Sequence, residues 1–172
     1  ITTYADGETE AGNITMNADA SLSATNSSTK SLVLFASDKI TIKGDITATD
    51  GKLNVILKAQ GDVALESNVD ITTRGGYFLV AGANDTGEPF GGSSPTDYAG
   101  SFTSASTTTI NTTGKNDTDG GYVKIQAAIR DPGSGNTSGS VDIGGSITTS
   151  GGTATSSGNG KSAGYITLTS LN

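Results

Sequence analysis

From Lys39 to Ala81 the chain alternates apolar and polar residues in short runs, each closed by glycine or Asp-Gly. It reads Lys39-Ile40-Thr41-Ile42-Lys43-Gly44-Asp45-Ile46-Thr47-Ala48 up to a turn at Asp50-Gly51. A second pass runs through Asp62-Val63-Ala64-Leu65 and Val69-Asp70-Ile71-Thr72-Thr73 to a turn at Gly75-Gly76. Period-two alternation puts one side chain in and the next out, which is a half-buried strand. The same rhythm places Ile14, Met16 and Ala18 opposite Asn13, Thr15 and Asn17. Leu22 and Ala24 give a weak strand. Leu53, Val55, Leu57 and Ala59 lie opposite Lys52, Asn54 and Lys58, with Ile56 breaking the polar side and expected to touch a neighbouring loop. Leu32–Phe35 and Tyr77–Ala81 are continuous apolar runs, as in strands covered on both sides. Further strands are predicted at Thr109–Thr112, Tyr122–Ala127, Val141–Ile143, Ile147–Thr149 and Tyr165–Thr169. No window carries the three-and-four spacing of a helix.

The strands recur. Ile46 and Ile71 lie 25 residues apart, and so do Leu53 and Phe78. A unit of Ile-Thr-Thr, glycine turn and apolar strand occurs at Ile71–Tyr77. It occurs again at Ile147–Gly152, where an inserted loop delays the strand to Tyr165, and a third copy is expected at Ile1-Thr2-Thr3. Several short strands in each repeat of this length predict an all-β solenoid, a right-handed parallel β-helix whose coils stack strand over strand. An antiparallel β-sandwich is the alternative, favoured by the many glycine turns. The chain reads as a single solenoid segment, 1–172, with irregular loops at about 82–106, 128–139 and 151–164 that bulge outward from their coils. It opens and closes within a unit, so it is expected to be a slice of a longer repeat chain or a subunit stacking on like neighbours.

Composition narrows the function classes. Hydrophobic residues make up only 33%, with 25 glycines, yet they are clustered in β-branched runs and not scattered as in a disordered chain. The net charge is −7 and Arg74 and Arg130 are the only arginines, which leaves no basic surface for nucleic acid. No apolar window is long enough for a membrane-spanning helix. Cysteine and histidine are absent, excluding disulfides and thiolate or imidazole metal sites.

Candidate chemistry is sparse. Asn13, Asn26, Asn84, Asn111, Asn116 and Asn136 each open an N-x-S/T acceptor sequence. Those in turns (Asn26, Asn84, Asn116 and Asn136) are the better glycosylation candidates. Asn116, Asp117 and Asp119, followed by Gly120, present oxygen ligands as a calcium loop does, although Lys115 and Gln126 stand where an EF-hand needs carboxylates. A solvated turn is the plainer account of that loop, and no cofactor is otherwise expected. Glycoside hydrolysis needs two facing carboxylates; Asp45, Asp62, Glu66 and Asp70 supply acids, but no histidine base, nucleophile elbow or phosphate-binding glycine loop accompanies them. The chain is therefore not expected to be an enzyme. Thr47-Ala48-Thr49 and Thr167-Leu168-Thr169 fit an ice-binding ladder only locally. In the first long loop Phe90, Tyr98 and Phe102 are the candidate ligand contacts, against a plainer role in packing the loop onto the shaft.

Gly12–Ala18, Lys39–Gly51 and Gly75-Gly76 ahead of an apolar strand resemble the shafts of filamentous-haemagglutinin-like exoproteins, adhesins that Gram-negative bacteria export by two-partner secretion. The resemblance covers most of the chain through degenerate motifs. It implies a right-handed parallel β-helix, a secreted or cell-surface location and adhesion to host or environmental surfaces, carbohydrate included. Some adhesins of that family are glycosylated at sequons of this kind. No Asn-Pro dipeptide is present, so the family's Asn-Pro-Asn secretion motifs are missing and the match is to shaft. The expected function is an adhesive spacer that displays its loops. A polymerising, end-to-end associating subunit of an extracellular filament or surface layer is one alternative, and a polysaccharide-degrading β-helix enzyme is another.

Overall fold

The structure, a computed structural model, describes residues 1, 12–82, 99–128, 139–155 and 160–171. Each coil contributes three strands. The first coil has β1 (Ile14–Met16), β2 (Leu22–Ala24) and β3 (Lys30–Ala36), and the second β4 (Ile40–Ile42), β5 (Ile46–Ala48) and β6 (Leu53–Ala59). The third has β7 (Val63–Leu65), β8 (Asp70–Thr72) and β9 (Phe78–Gly82). The fourth has β10 (Phe102–Ser104), β11 (Thr109–Asn111) and β12 (Val123–Ala128), and the fifth β13 (Val141–Ile143), β14 (Ser146–Thr148) and β15 (Ile166–Leu171). Equivalent strands stack into three five-stranded sheets: β1-β4-β7-β10-β13, β2-β5-β8-β11-β14 and β3-β6-β9-β12-β15. Every paired strand runs parallel to its neighbours. This is a parallel β-helix, and the antiparallel sandwich is excluded.

Parallel sheets must be covered, and here the coil covers itself. Both side chains of each inward pair enter a shared core: Ile40 and Ile42, Ile46 and Ala48, Val55 and Leu57, Val63 and Leu65, and Phe78 and Val80 are buried together. Phe102 sits over Val63 and under Val141, and its ring meets Phe78 edge to face, with centroids 6.3 Å apart at 69°. Such a contact is worth about 0.5–1.5 kcal/mol beyond the area it buries. Coils are also tied from outside the ladders. Asn13 Oδ1 accepts the Lys39 amide at 3.0 Å, Asp45 Oδ1 that of Asp70 at 2.9 Å and Asp62 Oδ1 that of Ser101 at 3.0 Å.

The outer face of the third sheet is only partly polar. Ile56, Leu79 and Ala81 form a second buried cluster with Tyr77 against it, and Lys58 and Gln126 are buried beside them. Ile56 therefore serves a second core formed with Leu79 and Ala81 of β9.

Three expectations are corrected. Ile46 does pair with Ile71, but Phe78 pairs with Val55 and not Leu53, because the corner after β8 reaches the third sheet sooner than the corner after β5. The segment 82–106 is not all loop, since Phe102, Thr103 and Ser104 form β10 over Val63, Ala64 and Leu65. Ile1 is not equivalent to Ile71 and Ile147, which lie in the second sheet. Its carbonyl accepts the Phe35 amide at 2.9 Å and its amino group donates to the Val33 carbonyl at 2.9 Å, placing it beside β3 in the third sheet. Thr2 and Thr3 lie outside the described residues.

Candidate functional site

The corner between the second and third sheets changes from coil to coil. Between the second and third sheets the third coil passes through Arg74 and Gly75, the fourth through 113–120 and the fifth through 150–163. The third coil makes the shortest link because Arg74 (φ 52°) and Gly75 (φ 87°) both adopt left-handed backbone. There glycine is at ease and arginine is strained; the arginine Nε donates to the Ala48 carbonyl at 3.0 Å.

Whatever the insert, the corner closes in one way. Thr73 Oγ1 donates to the Gly76 carbonyl at 2.6 Å, Thr112 Oγ1 to the Gly121 carbonyl at 2.6 Å, and Thr149 Oγ1 to the Gly164 carbonyl at 3.1 Å. Each of these glycines is followed by a tyrosine. Replacing Thr112 with valine keeps the volume but leaves the buried Gly121 carbonyl without that donor, a loss of about 1–3 kcal/mol. Urea unfolding should show it, with a smaller effect for Thr149→Val, where Thr149 is half-exposed and water can substitute.

The tyrosines that follow form a ladder. Tyr77 and Tyr122 stack with centroids 4.8 Å apart at 5°, and Tyr122 and Tyr165 at 5.1 Å and 6°. Their separation is close to the spacing of strands in a sheet, so the coil itself sets it. Beside the ladder is an open groove of about 350 Å³, lined by Gly120, Gly121, Gly164, Asp119, Ser162 and the three rings among others. The two long inserts build its rim together. The Gly120 amide donates to the Ser162 carbonyl at 2.9 Å, the Asp117 amide to the Thr153 carbonyl at 3.0 Å, and Asp119 Oδ1 accepts the Ser162 amide at 3.0 Å. Lys115 pairs with Asp50 across the same corner, which holds the Asp50 carboxyl below its usual range.

Burial pushes the Tyr122 phenol up to about 12, with added repulsion from Tyr77 and Tyr165, and burial also raises Tyr77. The fold thus favours the neutral phenol. Its contribution to stability is complete below the ordinary value of 10.0 and is lost as pH rises through about 12. Alkaline titration followed by phenolate absorbance should find this late-ionising group, and Tyr122→Phe should remove its share of the alkaline loss of stability.

The residues singled out from the sequence fall differently. Asn116 and Asp117 are exposed on the fourth coil's insert, but the carboxylates are already engaged. Asp117 accepts the Thr155 amide at 3.1 Å and the Thr155 hydroxyl, which lowers its pKa, and Asp119 binds Ser162. These acids clasp the next coil, and among the described residues no three acidic side chains gather. Asn26 is exposed at the corner after β2, where its Oδ1 accepts the Ser28 amide at 2.8 Å and hydroxyl at 2.9 Å. Phe102 is 0% exposed and belongs to the core; it is withdrawn as a ligand contact, because its strand faces that ring inward. Asn84, Asn136, Phe90 and Tyr98 lie outside the described residues.

The sequence expectations do not include the tyrosine ladder, though its signal lies in Gly76-Tyr77, Gly121-Tyr122 and Gly164-Tyr165, preceded in turn by Thr73, Thr112 and Thr149. The unequal inserts hid the common frame. No protein-family model matches this chain, and neither a curated protein nor a solved structure does.

Proposed function

We propose that this chain is an adhesive shaft segment of the filamentous-haemagglutinin-like kind, secreted or held at a bacterial surface, in which stacked coils supply reach and corner inserts supply contact. The observation that supports the reading most is the corner at Thr73, Thr112 and Thr149. It admits inserts of very different length while the strands on either side keep register across all five coils. A scaffold built this way can vary its display without rebuilding its core. Low hydrophobicity and a net charge of −7 suit a surface that stays solvated and resists unspecific collapse.

The reading is tested with beads coated with the purified chain, scored for attachment to epithelial monolayers, mucin and polysaccharide films. Coated beads should adhere above albumin-coated controls. A variant whose inserts 113–120 and 150–163 are both replaced by Arg-Gly should lose adhesion while keeping its circular dichroism. Failure to adhere to every surface, with the fold intact, sinks the proposal.

A further inference from the structure

The three faces of the coil differ in chemistry. The first sheet is bordered by the charged Lys39, Lys43, Asp62 and Glu66, and the third carries the tyrosine ladder with Ile56 and Leu79. The second carries short polar side chains in file. Register sets Ser23, Thr47, Thr72, Asn111 and Thr148 in one outward rank across all five coils. Two residues further along the chain stand Thr25, Thr49, Arg74, Thr113 and Ser150. The backbone keeps this second rank stacked at both ends: the Gly51 amide donates to the Asn26 carbonyl at 3.0 Å and the Gly114 amide to the Ser150 carbonyl at 2.9 Å. Every member of both ranks is exposed or half-exposed. Within one stretch of sequence only Thr47-Ala48-Thr49 displays the array; its other members come from other coils. Thr167 and Thr169 take no part, since they pair with Lys124 and Gln126 in the third sheet.

We infer that the outer face of the second sheet binds ice. Strands stack about 4.8 Å apart and alternate residues along a strand stand about 6.6 Å apart, so the two ranks form a rectangular net. Both distances lie near the repeats of water oxygens on the prism face of hexagonal ice, and groups set on this net hold water where the crystal would. A threonine serves twice, its hydroxyl bonding one water while its methyl crowds the next into place. Charge works against this, because an ion orients a hydration shell of its own. The only charged member of the two ranks is Arg74, whose Nε donates to the Ala48 carbonyl at 3.0 Å and draws the side chain toward the second coil. On the other border Asp45 Oδ1 accepts the Asp70 amide and Asp70 Oδ1 the Thr109 hydroxyl, which ties both carboxylates along the stack. The surface meets the corner inserts only at Thr113 and Ser150, so it stands or falls apart from the adhesive reading.

The test is whether the whole chain enters ice. A slowly growing ice hemisphere should take the chain up while albumin stays in the liquid, and a crystal held just below its melting point should facet and stop growing. Thr47→Lys and Thr148→Lys, which each set a long charged side chain in the first rank, should cut uptake severalfold. Thr103→Lys adds the same charge to the outer face of the first sheet and should change nothing. Arg74→Asn should raise uptake, because asparagine tolerates the left-handed backbone there and removes the charge. Thr148 is exposed, so its variant should melt with the parent; if it does not, Ser23→Lys, at an exposed place in the first coil, replaces it.

Exclusion of the parent chain from ice to the same degree as albumin overturns the inference. So does equal uptake by Thr47→Lys, Thr148→Lys and Thr103→Lys. If the chain enters ice but coated beads attach to nothing, the ice face stands and the adhesive reading falls. If beads adhere while ice excludes the chain, the adhesive reading stands and the ice face falls.

Discussion

Replacing Phe102 with alanine is expected to lower stability by about 4 kcal/mol, within the range for emptying a buried phenylalanine site. The ring is fully enclosed between Val63 and Val141 in its own sheet and edge-on to Phe78 from the third. Three ladders of backbone hydrogen bonds wall the interior, so the sheets cannot close over the void as a loosely packed core could. The loss should appear as a lower denaturant midpoint and a fall in melting temperature of roughly 10 °C. Phe102→Leu should cost less, about 1 kcal/mol, because it leaves much of the volume filled. Each coil touches only its neighbours, so amide exchange should quicken first in β7, β10 and β13, with β1 and β2 little changed. A loss below about 1 kcal/mol for the alanine variant would mean that the ring does not sit in the core.

The fate of Phe102 shows what could be read from the sequence and what could not. Strands β4 to β9 were legible because their inward positions are isoleucine, valine, leucine and phenylalanine at period two, so the core face declares itself. β10 is Phe-Thr-Ser, with one strongly apolar residue and a serine that is nonetheless buried, so composition alone assigned it to a loop. Its identity comes from the coils above and below, which place it over Val63–Leu65. Register failed at Leu53 for a similar reason. Equal sequence spacing is not equal path length, because the left-handed pair Arg74-Gly75 shortens one corner. The site was harder still. Thr112 reaches the Gly121 carbonyl across an insert, and Thr149 reaches that of Gly164 across a longer one, so no local window contains the closing bond. The spacing of Asp117 and Asp119 suits either a solvated turn or ligands of one loop; what it does not announce is that both bond the following coil.

Among the described glycines the tightest constraint lies at Gly121, where alanine is expected to cost about 3 kcal/mol, the upper part of the range for overpacking. Its φ is not left-handed, so conformation is no obstacle; space is. A Cβ there would stand 1.8 Å from the Gly76 carbonyl oxygen and 2.5 Å from its carbon, both backbone atoms of the coil below. That oxygen is held by the Thr73 hydroxyl, and the coils on either side are fixed by the bond from the Phe78 amide to the Tyr122 carbonyl at 3.0 Å. Relief requires the two coils to part at this corner, which would pull Tyr122 off Tyr77. Gly121→Ala should therefore do two things at once: lower the unfolding midpoint and return the late-ionising phenol toward the ordinary tyrosine value of 10.0. Gly160 supplies the control, because a Cβ there meets nothing within 4 Å. Gly160→Ala should change stability by no more than about 0.5 kcal/mol and leave the titration untouched. Equal tolerance at both glycines would mean that the coils are not in contact at Gly76 and Gly121, and the ladder and its groove would lose the spacing that defines them.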